Sequence, residues 1–308
     1  MIFDYDILDE TEKINFALRS LYKSFDYKQY RMSKFEEYDL YSRNKDFLVS
    51  DSVITFTDTN GKLMALKPDV TLSLIKNSKD LPDEVQKLCY SENVYRISRR
   101  TGSFKEIMQA GLEYFGKVDA EGVREVLKLA LRSLETVGKE SVLTVADLDI
   151  LSVFADEITD NEEAKERIWK CIGEKNLHGI SEVLKEFGIP EEKAATLKEL
   201  LKIYGTPAEA LPKLVALTKG TDAEARVKAL SDYVTPLASE GNIVIDFSLT
   251  GDIKYYNGII FKGYIAGIPE SVLSGGEYDK LMKRMGRKSG AIGFAVYLDL
   301  LERVEVAE

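Results

Sequence analysis

Between Thr159 and Ser239 the β-prone runs that mark the rest of the chain stop. The stretch "EEAKERIWKCIGEKNLHGISEVLKEFGIPEEKAATLKELLKIYG" is rich in Lys and Glu, which lose little side-chain freedom in a helix. Gly188-Ile189-Pro190 and Gly205-Thr206-Pro207 punctuate it. On both sides β character returns, and there the β-runs are joined mostly by turns and not by one helix each. That pattern predicts an α+β fold, a mainly antiparallel sheet flanked by helices, over a doubly wound one. The expected division is a core made of residues 1–158 and 240–308, with 159–239 as a helical insertion. A length of 308 residues suits one large domain carrying an insertion.

Local patterns fill in the core. Ile14, Ala17, Leu18, Leu21 and Phe25 recur at helical spacing. "ITFTDTNGKLMAL" sets two short β-prone runs around Asn60-Gly61, a hairpin signal. "QKLCYSENVYRISRR" and "EIMQAGLEYFGK" read as two strands around a polar loop. Val123, Val126, Leu127, Ala130, Leu131 and Leu134 predict an amphipathic helix, with Asp119 as its cap and Gly138 as its stop. After the insertion come "NIVIDFSL", "KYYNGIIFKGYI", "SVLSGGEYDKLMKRMG" and "SGAIGFAVYLDLLERV". Asn257-Gly258 is a second turn signal, and Gly275-Gly276 predict a tight strand-to-helix turn.

Several function classes fall away. The formal net charge is −10, which disfavours a general nucleic-acid binder, although Arg96, Arg99, Arg100 and Lys105 form a local basic group. The N-terminus reads as no signal peptide, and no run approaches the about 18 apolar residues of a membrane helix. Cys89 and Cys171 lie far apart without metal-type spacing and read as buried thiols in a reducing compartment, which points to the cytoplasm. His178 is the one histidine, so a His-based triad or His-rich metal site has no support; it is expected to be structural or solvent-facing. No GxxxxGK[ST] and no GxGxxG is present.

Polar residues in β-prone segments carry more. In a strand, Gln109, Gly111 and Glu113 share one face while Ala110 and Leu112 share the other. An amide, a glycine and a carboxylate suit an exposed face or the floor of a polar pocket. Asp69 and Thr71 follow Pro68, where they suit either a helix cap or the capture of a ligand amine by a carboxylate.

Taken in order, these pieces resemble the catalytic core of the class II aminoacyl-tRNA synthetases, and most of all histidyl-tRNA synthetase. "KPDVT" resembles the amino-acid-binding Arg-Pro-Glu-Gly-Thr. "VYRIS…TGSFKEIMQAGLEYFG" resembles motif 2 and the strand behind it. "KYYNGIIF" is similar to the histidine-specific "DYYTGTVF", and "SGGEYDKLMKRMG…AIGFAVYLDLL" to motif 3. The resemblance implies the class II core fold and, as histidine-binding residues, Asp69, Thr71, Arg96, Gln109, Glu113, Tyr255 and Tyr256.

The departures point away from catalysis. Where motif 2 carries Arg-x-Glu, this chain has Arg96 and then Ser98. Where the histidine-specific segment begins Arg-Gly-Leu-Asp, it has Gly251, Asp252, Ile253 and Lys254. Where motif 3 ends in Glu-Arg, it has Asp299 and Leu300, and a leucine cannot neutralise a triphosphate. Adenylation needs positive charge where charge builds up in the transition state. A histidine pocket kept without activation chemistry resembles the regulatory subunits of ATP phosphoribosyltransferase, paralogues of the synthetase. That resemblance implies a non-catalytic homodimer without cofactor or metal. It implies binding to the short-form catalytic subunit in a hetero-octamer, with L-histidine as feedback effector. No tRNA is expected, from the net charge of −10 and because the sequence ends soon after motif 3, where an anticodon-binding domain would follow. No membrane is expected for want of a long apolar run. The alternatives are a divergent or truncated histidyl-tRNA synthetase and a free-standing amino-acid sensor.

Overall fold

The computed structural model describes residues 7–48, 53–97, 101–138, 140–250 and 255–301. The chain opens with α1 (Glu10–Ser24), β1 (Lys28–Gln29), β2 (Phe35–Glu37), α2 (Tyr38–Ser42), β3 (Thr55–Thr57), β4 (Leu63–Leu66) and α3 (Val70–Asn77). The long pair β5 (Val85–Ile97) and β6 (Phe104–Gly116) follows, then α4 (Ala120–Val137), β7 (Ser141–Asp147) and α5 (Leu148–Asp156). The next segment holds α6 (Glu162–Gly173), α7 (Leu177–Glu186), α8 (Ala195–Lys202), β8 (Tyr204–Gly205), α9 (Pro207–Thr218) and α10 (Glu224–Val234). The chain closes with β9 (Ile243–Asp246), β10 (Asn257–Ile265), β11 (Leu273–Glu277), α11 (Asp279–Arg284) and β12 (Gly290–Tyr297).

Nine strands form one sheet in the order β1-β5-β6-β12-β11-β10-β7-β9-β8, and β2-β4-β3 form a small second sheet. Neighbours in the large sheet are antiparallel except β1 with β5 and β7 with β9. This is the α+β arrangement expected from the sequence. The strand period of two sorts the residues of β6. Ala110, Leu112 and Tyr114 join the main core with Leu18 and Tyr22 of α1 and Leu127, Ala130 and Leu134 of α4. On the opposite face Phe115 joins a smaller cluster with Tyr41, Leu72, Leu74, Tyr90, Tyr255 and Tyr278. α4 begins where the Asp119 carboxylate accepts from the N–H groups of Glu121 and Gly122, at 3.1 and 3.0 Å, and ends at Gly138.

The helices between Thr159 and Ser239 share the main core. Ile168, Leu184, Leu197, Leu214, Val227 and Leu230 are buried in the same cluster as Val145 and Ile245 of the sheet. One feature there escaped the sequence: Tyr204-Gly205 pairs antiparallel with Asp246-Ile245 and makes the sheet's last strand. Two residues carry no readable periodicity.

The two Asn-Gly signals diverge. At Asn60-Gly61 the chain reverses between β3 and β4, Gly61 takes φ 81°, and Asp58 accepts from the N–H groups of Asn60 and Lys62, both at 2.8 Å. At Asn257-Gly258 it does not reverse. Gly258 takes φ 58° inside β10, where the register against β11 slips between Asn257 and Ile260, a β-bulge. The dipeptide supplies the left-handed residue in both places; whether the flanking strands pair with each other is a tertiary matter, and β10 pairs with β7 and β11. The Gly275-Gly276 expectation also needs correction. Both glycines lie within β11, and the strand-to-helix turn falls at Tyr278.

Candidate functional site

A cleft opens over the sheet face that carries Gln109 and Glu113. Its lining includes all seven candidates, Asp69, Thr71, Arg96, Gln109, Glu113, Tyr255 and Tyr256. Counted together with the open solvent at its mouth, the space free of protein atoms is about 580 Å³. Arg99 and Arg100 of the basic group, Ser98, and Gly251 to Lys254 lie outside the described residues. Lys105, the register partner of Arg96, is exposed on β6.

The floor comes from strand alternation, since Gln109 and Glu113 are both buried. Gln109 makes no side-chain hydrogen bond to another described residue. Glu113 fits only because its neighbour across the strands is Gly293: a Cβ there would sit 1.8 Å from Glu113 Oε2. Thr71 donates to Glu113 Oε1 at 3.0 Å, and the Tyr278 hydroxyl donates to Oε2 in a short hydrogen bond. These two bonds favour the carboxylate, but burial outweighs them and pushes Glu113 up to about 8. At neutral pH this carboxyl is therefore mostly protonated. A ligand bringing positive charge would return it to the anion.

One rim is the segment before α3. Asp69 proves to be a cap as well as a cleft residue, accepting from the Leu72 N–H at 2.9 Å. Burial raises its carboxyl against the pull of that N–H and of the Arg96 charge. Three contacts hold the segment in place. The fully buried Lys67 pairs with Glu92 at 3.0 Å, Lys67 N–H donates to Lys34 O at 2.9 Å, and Arg96 Nε donates to Pro68 O at 3.0 Å. Arg96 thus carries a structural bond while its guanidinium lines the cleft.

The other rim is aromatic. Tyr255 packs against Tyr256 with ring centroids 4.6 Å apart, and against Tyr278 at 5.7 Å. Burial drives the Tyr255, Tyr256 and Tyr278 hydroxyls well above their ordinary range, so all three remain neutral donors. Gly276 leaves room for this wall, because a Cβ there would meet Tyr256 Cδ1 at 2.9 Å.

Tyr90, Ser274, Tyr278 and Tyr297 also line the cleft but were not singled out in the sequence. Tyr90 was legible in principle: it stands in register with Gly111, on the face shared by Gln109 and Glu113. Tyr278 had no local signal, since its partner Glu113 lies 165 residues away. Among the described residues no group of His, Cys, Asp or Glu is arranged to hold a metal ion. None of their helices is long and apolar enough to cross a membrane. His178 is exposed beside Glu182, and both cysteines are buried free thiols.

The arrangement offers two carboxyl groups, an amide, a hydroxyl and an aromatic wall, with one guanidinium at the edge. It suits a small ligand with an amine, a carboxylate and a flat ring able to hydrogen-bond. At the motif 3 position, Leu300 packs against the main core instead of facing the cleft.

The family model for Histidyl-tRNA synthetase matches residues 7–301. An ATP phosphoribosyltransferase regulatory subunit from Clostridium kluyveri is 30% identical over 92% of this chain and 74% of its own length. The crystal structure of an ATP phosphoribosyltransferase regulatory subunit/histidyl-tRNA synthetase from Bacillus halodurans superposes with a TM-score of 0.82 at 23% identity, covering 98% of this chain and 81% of that one. A chain of the ATP phosphoribosyl transferase (HisG:HisZ) complex from Thermotoga maritima superposes with a TM-score of 0.73 at 18% identity, covering 94% of this chain and 97% of that one. At these identities the two structures speak for the shared fold.

Proposed function

Since the chain belongs to the histidyl-tRNA synthetase family, among the regulatory subunits of ATP phosphoribosyltransferase, we propose that it regulates without catalysis of its own. It binds L-histidine in the cleft and passes that state to a short-form catalytic subunit, which needs this chain for activity and is feedback-inhibited through it. Asp69 and Gln109 receive the α-amino group, with Thr71 beside them. Glu113 and Tyr255 read the imidazole, Tyr256 forms the packing wall, and Arg96 pairs with the carboxylate. The working assembly is a cytoplasmic hetero-octamer built on homodimers of this chain, without cofactor or tRNA. The ATP phosphoribosyl transferase (HisG:HisZ) complex from Thermotoga maritima, one chain of which shares this fold, supports the partner.

One observation carries the reading. The acidic, aromatic cleft gathers the candidate residues, while the motif 3 position that should neutralise ATP is Leu300, a partly buried apolar side chain packed against the main core. A ligand can be recognised there, but the phosphate charge of ATP meets no cation from that position. Regulation then requires that histidine bind two states of the complex unequally, since equal affinity shifts nothing.

Calorimetric titration with L-histidine tests this. The expected result is binding that Glu113→Ala weakens about tenfold or more, the scale of one charge-assisted hydrogen bond. Histidine-dependent ATP–pyrophosphate exchange is expected to be absent. Unchanged affinity in the variant would remove Glu113 from the site, and robust exchange would make the chain a synthetase.

A further inference from the structure

A second charged cluster lies behind the aromatic wall, where the ends of three strands meet a helix of the 159–239 segment. Arg226, on α10, reaches out of that segment to the sheet. Its Nη2 donates to Asp147 Oδ2 at 2.6 Å and lies 3.5 Å from Asp149 and 3.8 Å from Glu277. Asp147 is fully buried at the end of β7, and its other oxygen caps α5 through the Asp149 N–H at 2.9 Å.

Each carboxylate also holds, or stands in register with, the bulge in β10. Glu277 Oε2 accepts from the Ile259 N–H at 3.0 Å, Asp149 Oδ1 accepts from the Gly258 N–H at 3.3 Å, and Asp147 is the register partner of Ile259. Gly258 is required here for its φ of 58° and for space, because a Cβ would meet Glu277 Oε2 at 1.8 Å and Arg226 Nη2 at 3.0 Å. The bulge follows Tyr255-Tyr256 directly, and Glu277 precedes Tyr278, the hydroxyl partner of Glu113. Both neighbours of this cluster along the chain are therefore cleft walls.

Three carboxylates around one guanidinium are more acid than a fold needs for a single ion pair. They converge on the residues that aim the tyrosines, and among the described residues their one cation comes from the helical segment. We propose that Arg226 is a positioning residue that couples the 159–239 segment to the tyrosine wall, so that the seating of α10 sets the cleft's affinity for its ligand. The inference rests on the histidine-binding reading for its ligand, but its mechanical part does not. With α10 seated, the guanidinium draws Asp147, Asp149 and Glu277 together and locks the bulge. With α10 shifted, the three acids lose the cation that gathers them, the bulge loosens, and the Tyr255-Tyr256 wall loses its aim.

Two variants of the full-length chain test it. Arg226→Lys keeps the charge and loses the planar fork. Glu277→Gln keeps an oxygen for the Ile259 N–H and removes one of the three carboxyl groups around Arg226. Histidine titration and amide hydrogen exchange are read on both. The expected result is at least fivefold weaker histidine binding by both, with faster exchange confined to Gly258, Ile259 and Ile260. Exchange that speeds up throughout the chain identifies a merely structural residue and overturns the proposal. So does a folded pair of variants that binds histidine within twofold of wild type. If Arg226→Lys does not fold, Glu277→Gln decides alone. If wild type itself fails to bind histidine, the functional reading falls. Exchange confined to the bulge would then still support the coupling, and unchanged exchange there would end it.

Discussion

Glu113 and Asp147 are both buried carboxyl groups at strand positions, and they are satisfied in opposite ways. Asp147 has a guanidinium at 2.6 Å and the N-terminus of α5. Among the described residues Glu113 has no cation, only the hydroxyls of Thr71 and Tyr278. A buried acid matched by a built-in cation belongs to the structure, whereas one held by hydroxyls alone at the floor of a cleft is poised for a charge from outside. The difference separates scaffold from site on physical grounds that need no relative for comparison.

The sharpest way to break this contrast is to remove the cation. Arg226→Leu leaves Asp147 buried and uncompensated and is expected to cost about 3–5 kcal/mol in denaturant unfolding. A loss under about 1 kcal/mol would mean that α5 alone satisfies Asp147. Next comes a hydroxyl at the other acid. Tyr278→Phe keeps the ring and removes one of the two donors to Glu113, for an expected loss of about 1–3 kcal/mol. Without that bond the Glu113 carboxyl moves higher still, and no change in its titration by NMR would contradict the geometry. The smallest effect is Glu113→Gln. At pH 7 the native carboxyl is mostly protonated, so the amide is expected to change stability by no more than about 1 kcal/mol. The pH dependence differs more. Glu113 is raised from 4.5 to about 8 on folding, so the unfolded chain loses this proton first. Without added ligand, the protein should therefore lose stability as pH rises from about 4.5 to about 8. Glu113→Gln should flatten that slope without removing it, because burial also raises Asp69, Asp147 and, to about 7, Glu277. An unchanged slope would show that folding does not raise the Glu113 carboxyl.

Much of this was legible beforehand wherever the signal was local. The alternation in β6 put Gln109 and Glu113 on one face, Asp119 and Gly138 bounded α4, and Asn60-Gly61 turned a hairpin. "KPDVT" and "KYYNGIIF" marked the two rims through their resemblance to a family. The failures share one cause. Asn257-Gly258 reads like Asn60-Gly61 but became a bulge because its strand partners are distant, and Tyr278 was passed over because the carboxyl it serves is on another strand. Lys67, a fully buried lysine that fixes the Asp69 segment, reads in the sequence like any surface lysine.

The sequence by itself determined the class of fold, the helical segment, the strand faces and the residue types around the cleft. Those follow from periods of two and 3.6 residues and from local capping and turn chemistry, all short-range. Only the tertiary structure decided which acids have a cation. Arg226 and Asp147 are 79 residues apart, and Thr71 and Tyr278 reach Glu113 across 42 and 165. Burial and charge pairing are sums over neighbours in space, and a one-dimensional pattern does not contain them.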